Sequence, residues 1–190
     1  HQEGWVIPAA IGFAGRGTTM KRHGQTYSGS LPVLANILNY EFLWNEIRVQ
    51  GGAYGCGFAG YMDGSLSYYT YRDPSPARSL EILTRCAAFM RDFCDGNPDL
   101  TRYILGAVST FDPLLNVNSR ISAAENRFFN GRTDEEIAEY YRQLVHTTPA
   151  DLKALCPLLD EIIEDNQICV VAGAAQMEEC KNTLKEIQNV

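Results

Sequence analysis

Hydrophobic residues recur at helical spacing after the first polar stretch of the chain. The recurrence runs from Ser30 to Arg48 and comprises Leu34, Ile37, Leu38, Phe42, Trp44 and Ile47. Spacings of three and four residues predict an amphipathic helix with a wide buried face. Ser30 is a residue type that caps helix N-termini, and a proline two positions later suits the first turn, so the helix is expected to begin there.

The period changes from helical to alternating after Gly51-Gly52. Residues 54–58 alternate tyrosine, cysteine and phenylalanine with glycine, and residues 65–71 alternate in a similar way. A period of two predicts strands. Residues 62–64, Met-Asp-Gly, are a turn signal, so the two strands are predicted to form a hairpin. The glycine-lined strand face indicates that something approaches this backbone closely.

Short apolar segments near both ends of the chain predict the remaining strands. Residues 5–13 indicate a first strand, which Gly15-Arg16-Gly17 ends. Pro8 within it indicates an edge position or a bulge, because proline cannot donate to a ladder. Residues 168–172 predict the last strand. A final helix follows, with one side formed by Met177, Cys180, Leu184 and Ile187.

Helices are predicted throughout the middle of the chain. Residues 75–94 predict one long helix, and another starts near Pro98. Three more are predicted at 119–129, 133–145 and 148–163, the last two with capping-box starts. Strands near both ends with helices between them predict a single domain, residues 1–190, of the α+β class. We expect an antiparallel-rich sheet with helices packed on one face.

Composition narrows the range of partners. The chain has 16 basic and 23 acidic residues, a net charge of −7, which argues against nucleic acid because that binding depends on lysine and arginine. No apolar run approaches the ~20 residues that cross a bilayer, so no membrane partner is expected. The six cysteines form no CxxC pair, which favours free thiols, a reducing compartment and a cytoplasmic location. Because the chain begins at His1, we expect a piece of a longer polypeptide.

Metal ligands and nucleophiles are not arranged for catalysis in this sequence. The histidines His1, His23 and His146 are far apart, and none has an HxxEH or HxxxH spacing. A zinc site needs three or four converging ligands, so no metal site is predicted in this chain. Cys56 has no nearby histidine to generate a thiolate.

Arg48 and Tyr54 form the strongest candidate site. The glycine bend between them brings a guanidinium and a phenol to one end of the sheet, where both can donate to one carbonyl oxygen. Each also has a structural interpretation, since Arg48 can interact with the helix macrodipole and Tyr54 can be a core tyrosine. At the end of the hairpin, Arg72 can contact substrate or pair with Asp73. We predict Arg48 and Tyr54 as catalytic residues, and as substrate-binding residues Gly51, Gly52 and Arg72.

Three motifs in a fixed order resemble a known family. LWNEIRV at 43–49, GGAYG at 51–55 and YRDP at 71–74 are similar to the last domain of presequence-protease-type zinc metallopeptidases, in the pitrilysin and insulinase superfamily. The likeness covers the whole chain, although Thr70 replaces a usual serine and residues 112–120 depart from the usual loop. The resemblance implies that Arg48 and Tyr54 reach over to the substrate carbonyl.

The resemblance also implies a larger enzyme. Four similar domains would enclose a chamber that takes unstructured peptides, and closure would complete the site. Zinc would be bound by an HxxEH motif in the first domain, outside this chain. The implied partners are peptide substrates and the N-terminal domains of the same polypeptide. The chain alone would be inactive. The alternative is a non-catalytic relative that binds peptides or supports a partner subunit.

Overall fold

A single six-stranded sheet organises the part of the chain that the computed structural model describes, residues 1–189. Its strands are β1 (Gln2–Val6), β2 (Gly12–Thr19), β3 (Gly55–Gly60), β4 (Ser65–Asp73), β5 (Ile168–Ala172) and β6 (Glu186–Asn189). The strand order is β3-β4-β2-β5-β1-β6. The three ladders on the β3 side are antiparallel, and the β5–β1 and β1–β6 ladders are parallel. The prediction of an antiparallel-rich sheet is therefore confirmed.

Helices connect β2 to β3, β4 to β5 and β5 to β6. They are α1 (Leu31–Ile37), which continues without a break as a π-helix (Leu38–Val49), then α2 (Pro76–Leu83), α3 (Cys86–Asp95), α4 (Thr101–Phe111), α5 (Val117–Phe129), α6 (Asp134–Val145), α7 (Pro149–Asp165) and α8 (Ala174–Cys180). A 3-10 turn, Met20–His23, follows β2. The two predicted capping boxes form, at Thr133 with Glu136 and at Thr148 with Asp151.

The helices cover one face of the sheet, as the alternation along β4 shows. Leu66, Tyr68 and Thr70 are buried beneath the helices, whereas Tyr69 and Tyr71 on the opposite face are exposed. Successive strand residues point to opposite faces, so this burial pattern assigns one covered and one open face. The predicted placement of helices on one face is confirmed.

Arg16 joins β2 to the C-terminal end of α7. Its side chain lies on the covered face and is buried, and it donates to the carbonyl oxygen of Ile162 (3.4 Å) and to Oδ1 of Asn166 (3.0 Å). A cation is favourable at this negative end of the helix dipole. Burial lowers the pKa of the Arg16 guanidinium from its usual value. This residue was predicted to end a strand, but it lies inside one and ties the sheet to its longest α-helix.

The predicted first strand, residues 5–13, is two strands. β1 ends at Val6 and β2 begins at Gly12, and Pro8 lies in the connection rather than at an edge or bulge. Both strands pair with β5, one parallel and one antiparallel, so the chain must reverse between them. An apolar run carries no signal for such a reversal, which explains why the sequence pattern merged the two strands.

Two helix predictions are also wrong in their extent. The helix expected over 75–94 breaks at Thr84–Arg85 into α2 and α3. The last helix ends at Cys180, and Ile187, predicted on its apolar side, lies in β6 beside Gly4 of β1. The parallel ladder with β1 supplies backbone hydrogen bonds that a longer helix would have had to replace, so tertiary pairing overrides the helical spacing.

Ser30 precedes α1 as predicted but does not cap it. Its side chain makes no hydrogen bond to the helix N-terminus, and its hydroxyl accepts from Thr147 Oγ1 at 3.0 Å. Both residues are buried between α1 and α6. The Ser30 hydroxyl therefore contributes to the contact between α1 and α6 and does not cap the N–H groups at the start of α1.

Candidate functional site

A tight turn at Gly51-Gly52 joins the end of the π-helix to β3. Gly52 donates its backbone N–H to the carbonyl of Arg48 (2.9 Å), and Ala53 donates to that of Ile47 (3.2 Å). A β carbon at position 51 would collide with the carbonyl oxygen of Ile47, and Gly52 has a φ of +79°. Both positions therefore require glycine, the first for space and the second for its left-handed backbone.

Arg48 lies in the last turn of the π-helix and is stacked on an indole ring. Its guanidinium carbon is 3.9 Å from the centroid of Trp44, one turn earlier. Within residues 1–189 the guanidinium has no ion pair and no hydrogen bond to a protein acceptor. Cation–π stacking fixes the plane of the guanidinium without occupying its N–H groups. Arg48 therefore has donors to offer to a molecule outside the chain.

Tyr54 follows the turn and is 65% exposed, so its interpretation as a core tyrosine is wrong. Its backbone N–H donates to the carbonyl of Tyr71 (3.1 Å), which ties it to the hairpin. The two phenol rings make an edge contact, with centroids 5.9 Å apart. The phenol hydroxyl of Tyr54 has no hydrogen-bond partner in the described part of the chain. It is thus held by its ring and free at its polar end.

Arg72 lies at the end of β4 on the Tyr54 side. Its guanidinium carbon is 6.0 Å from the Tyr54 ring centroid and 5.7 Å from that of Tyr71. The alternative pairing with Asp73 does not form. Oδ1 of that buried carboxylate accepts from the backbone N–H of Ser75 (2.9 Å), and its Oδ2 has no partner among residues 1–189. Arg72 has a φ of +48°, a left-handed conformation that non-glycine residues rarely adopt. Such outliers often occur at functional sites.

The structure brings the five predicted residues to one end of the sheet, but not into one contact. Arg48 stacks on Trp44, whereas Tyr54 and Arg72 group with Tyr71, whose ring also contacts Phe13 at 5.3 Å. The supporting rings of Trp44, Tyr71 and Phe13 were not predicted as site residues. The spacing of four between Trp44 and Arg48 could have indicated the first, since residues i and i+4 of a helix are neighbours.

Comparison with known proteins identifies the same family as the sequence motifs. Residues 2–176 match the family described as the PreP C-terminal domain. Protein HypA of Clostridium perfringens is 27% identical over 188 residues, and presequence protease 1, chloroplastic/mitochondrial, of Arabidopsis thaliana is 28% identical over 178 residues. The crystal structure of pitrilysin superposes on 90% of the chain with a TM-score of 0.60 at 12% identity, which shows a shared fold.

This chain belongs to the PreP C-terminal domain family. The family match confirms the presequence-protease resemblance of its motifs, and its fold is shared with pitrilysin. The match to HypA covers 99% of this chain but only 19% of HypA. The match to the Arabidopsis protease covers 93% of this chain and 16% of that protein. The chain thus spans less than a fifth of the length of these relatives.

The zinc that the sequence resemblance implies has no matching set of ligands in residues 1–189 of this PreP-type domain. Among residues 1–189, no three histidine, cysteine, aspartate or glutamate side chains converge on a point where they could hold an ion. In the same range, none of the helices is long and apolar enough to cross a bilayer. Arg48, Tyr54 and Arg72 carry hydrogen-bond donors that no carboxylate accepts in the described part of the chain.

Cys56, the cysteine closest to the candidate site, is held as a thiol. Burial raises its pKa to about 11, the Asp73 carboxylate adds to that shift, and the positive charge of Arg48 opposes it. The sulfur donates to the carbonyl oxygen of Leu43 at 3.2 Å. A thiol in this state is a poor nucleophile.

Labelling of Cys56 by a disulfide reagent should therefore be slow and should speed up with pH. The thiolate fraction is about one in a thousand at pH 8 and rises about tenfold per pH unit, because that pH lies far below the raised pKa. Mass spectrometry after timed quenching would locate the label, with free glutathione as the reference thiol. Labelling of Cys56 as fast as glutathione at pH 8 would contradict the raised pKa of this partly buried thiol.

Proposed function

We propose that this domain supplies Arg48 and Tyr54 as hydrogen-bond donors to the substrate carbonyl in a zinc metalloendopeptidase that degrades unstructured peptides. The observation that supports the proposal is that Arg48 and Tyr54 flank the turn between the π-helix and β3. Each side chain contacts an aromatic ring, and each polar group lacks a protein acceptor among residues 1–189. Polar groups placed in this way are prepared for an acceptor that arrives from outside.

The chemical reason is the charge that develops on the substrate. When water attacks a peptide carbonyl, the oxygen becomes an anion, and donors fixed in advance stabilise it without reorganising. Arg48 supplies a permanent cation, and Tyr54 supplies a neutral donor. Gly51 and Gly52 would let the peptide approach the backbone, and Arg72, beside Tyr54, would contact it.

The rest of the enzyme would lie outside this chain. Zinc and its ligands would be in another domain of the same polypeptide, and this single domain, residues 1–190, would form part of a four-domain chamber. A cytoplasmic location belongs to the proposal because all six cysteines are free thiols, although the Arabidopsis relative is named as chloroplastic or mitochondrial. A non-catalytic relative that binds peptides or supports a partner subunit is the competing function.

Substitution of either donor in the full-length protein tests the catalytic role. Arg48→Ala and Tyr54→Phe should each lower the peptidase kcat at least about tenfold, because loss of one donor to a developing anion typically costs 10²–10³ in rate. Zinc content, measured by elemental analysis, should be unchanged. Tyr61→Phe is the matched control, since Tyr61 is 57% exposed and follows the opposite end of β3.

Wild-type turnover in both variants would reduce the pair to structural residues. The non-catalytic alternative would instead be supported by two results together. The wild-type protein would bind peptide without cleaving it, and Arg48→Ala would abolish that binding.

Trp44 should act as a positioning residue for Arg48. Trp44→Leu in the full-length enzyme should lower kcat about 2- to 30-fold, the range that corresponds to a cation–π contact of about 0.5–2 kcal/mol, and Trp44→Phe should lose less. In the Arg48→Ala background, Trp44→Leu should have no further effect. Additive losses in the double variant would show that the indole acts on its own, and thermal melting would report any general loss of stability.

The isolated chain should be inert even when zinc is added. It offers no ligand cluster within residues 1–189, so neither peptidase activity nor stoichiometric zinc is expected after dialysis against excess Zn²⁺. The measurement pairs a fluorogenic peptide assay with elemental analysis. Tightly bound zinc at one ion per chain would overturn the assignment of the metal to another domain.

A further inference from the structure

Helix α5 is turned so that its apolar side faces solvent. No residue of this 13-residue helix is buried. Its two partly buried residues are Ser119 and Ala123, and Ala123 and Asn126 line a cavity shared with Tyr27 and Tyr140 of the domain body. The side that meets the body is therefore small and polar, the reverse of the usual orientation of an amphipathic helix.

The outward side carries a continuous apolar stripe. We define the α5 stripe as Val117, Ile121, Ala124 and Phe128, all exposed. Their spacing is 4-3-4, which places them on one line of the helix. The large members are 73% (Val117), 54% (Ile121) and 79% (Phe128) exposed. Leu114 and Leu115, just before the helix, extend the surface beside a cleft of about 790 Å³.

A helix in this situation needs a partner. Helices of ~12–15 residues are marginal in water by themselves and derive their stability from burial of an apolar side. Only the small and polar side of α5 contacts the domain body. The apolar side of α5 must therefore be buried by another partner. Large contiguous apolar patches on a protein surface mark interaction sites.

We propose that the α5 stripe docks onto an apolar helix of a neighbouring domain in the same, longer polypeptide. The 4-3-4 spacing is the seam spacing of paired helices, which favours a helix as occupant. The chain belongs to a C-terminal domain family and corresponds to only 19% of the length of HypA, so a large remainder of the polypeptide exists in such proteins to provide it. The proposal does not depend on the roles of Arg48 and Tyr54.

Charge disfavours the two other occupants. A symmetric antiparallel pairing of two α5 helices would bring Arg120 of one copy beside Arg127 of the other, and like charges repel. A membrane surface with anionic lipids would attract these arginines but repel the chain as a whole, whose net charge is −7. A covalently linked domain also has a high effective concentration, which a second copy lacks.

Amide hydrogen exchange on the full-length polypeptide tests the docking. Peptides covering 117–129 should be protected in the wild type, and Ile121→Glu should lower that protection at least about tenfold by placing a charge in the seam. Ser122→Glu is the matched control, since it introduces the same charge at the adjacent exposed position off the stripe and should leave protection unchanged. Ile121 is exposed in the domain, so the melting temperature of the variant reports whether the body stays folded.

Each outcome decides the matter. Protection that is independent of protein concentration and lost only in Ile121→Glu supports intramolecular docking. Protection that falls on dilution would assign the stripe to a second copy, and protection that needs vesicles of anionic phospholipid would assign it to a membrane. Fast exchange at 117–129 in the wild type, or equal losses in both variants, would overturn the proposal.

Discussion

The close approach of Gly51 to the carbonyl of Ile47 is the constraint on which the site depends. It lets the π-helix end directly against the start of β3, and any β carbon at this position would push the two elements apart. Arg78 completes the junction by donating to the carbonyl of Glu46 at 2.9 Å. Arg48 and Tyr54 lie on either side of this turn. Their common location at one sheet end is therefore a consequence of backbone packing, and it persists without contact between their side chains.

Aromatic rings, rather than carboxylates, hold the two arginines of the site. A carboxylate would occupy the N–H donors of the guanidinium and offset its positive charge. An aromatic ring orients the cation but leaves its donors and its charge available. Arg48 on Trp44 and Arg72 beside Tyr54 and Tyr71 follow this arrangement. Arg85 and Arg102 also lie over rings, but their guanidinium groups are paired with the carboxylates of Glu46 and Glu41. Arg48 and Arg72 therefore differ from these arginines in having no carboxylate partner among residues 1–189.

The domain leaves two kinds of surface unsatisfied, and both face away from its core. At one end of the sheet, donors lack acceptors, and on α5 an apolar stripe lacks cover. The apolar core itself is closed to solvent, with Leu34, Leu38 and Ile47 fully buried. A domain with a well-packed interior and unsatisfied surfaces of this kind is suited to work as part of a larger assembly.

The sequence by itself determined the elements whose signals are local. The alternation at 54–58 and 65–71 predicted the hairpin, and the capping boxes at Thr133 and Thr148 predicted two helix starts. The order Arg48, Gly51-Gly52, Tyr54 indicated where the candidate site lies. Only the tertiary structure decided the features that depend on distant partners. β5 splits residues 5–13 into two strands by pairing with both, β1 draws Ile187 into a sheet, and the packing of the body leaves the apolar side of α5 outside. Local periods encode which residues share a face, but the direction of that face is set by contacts between segments far apart in the chain.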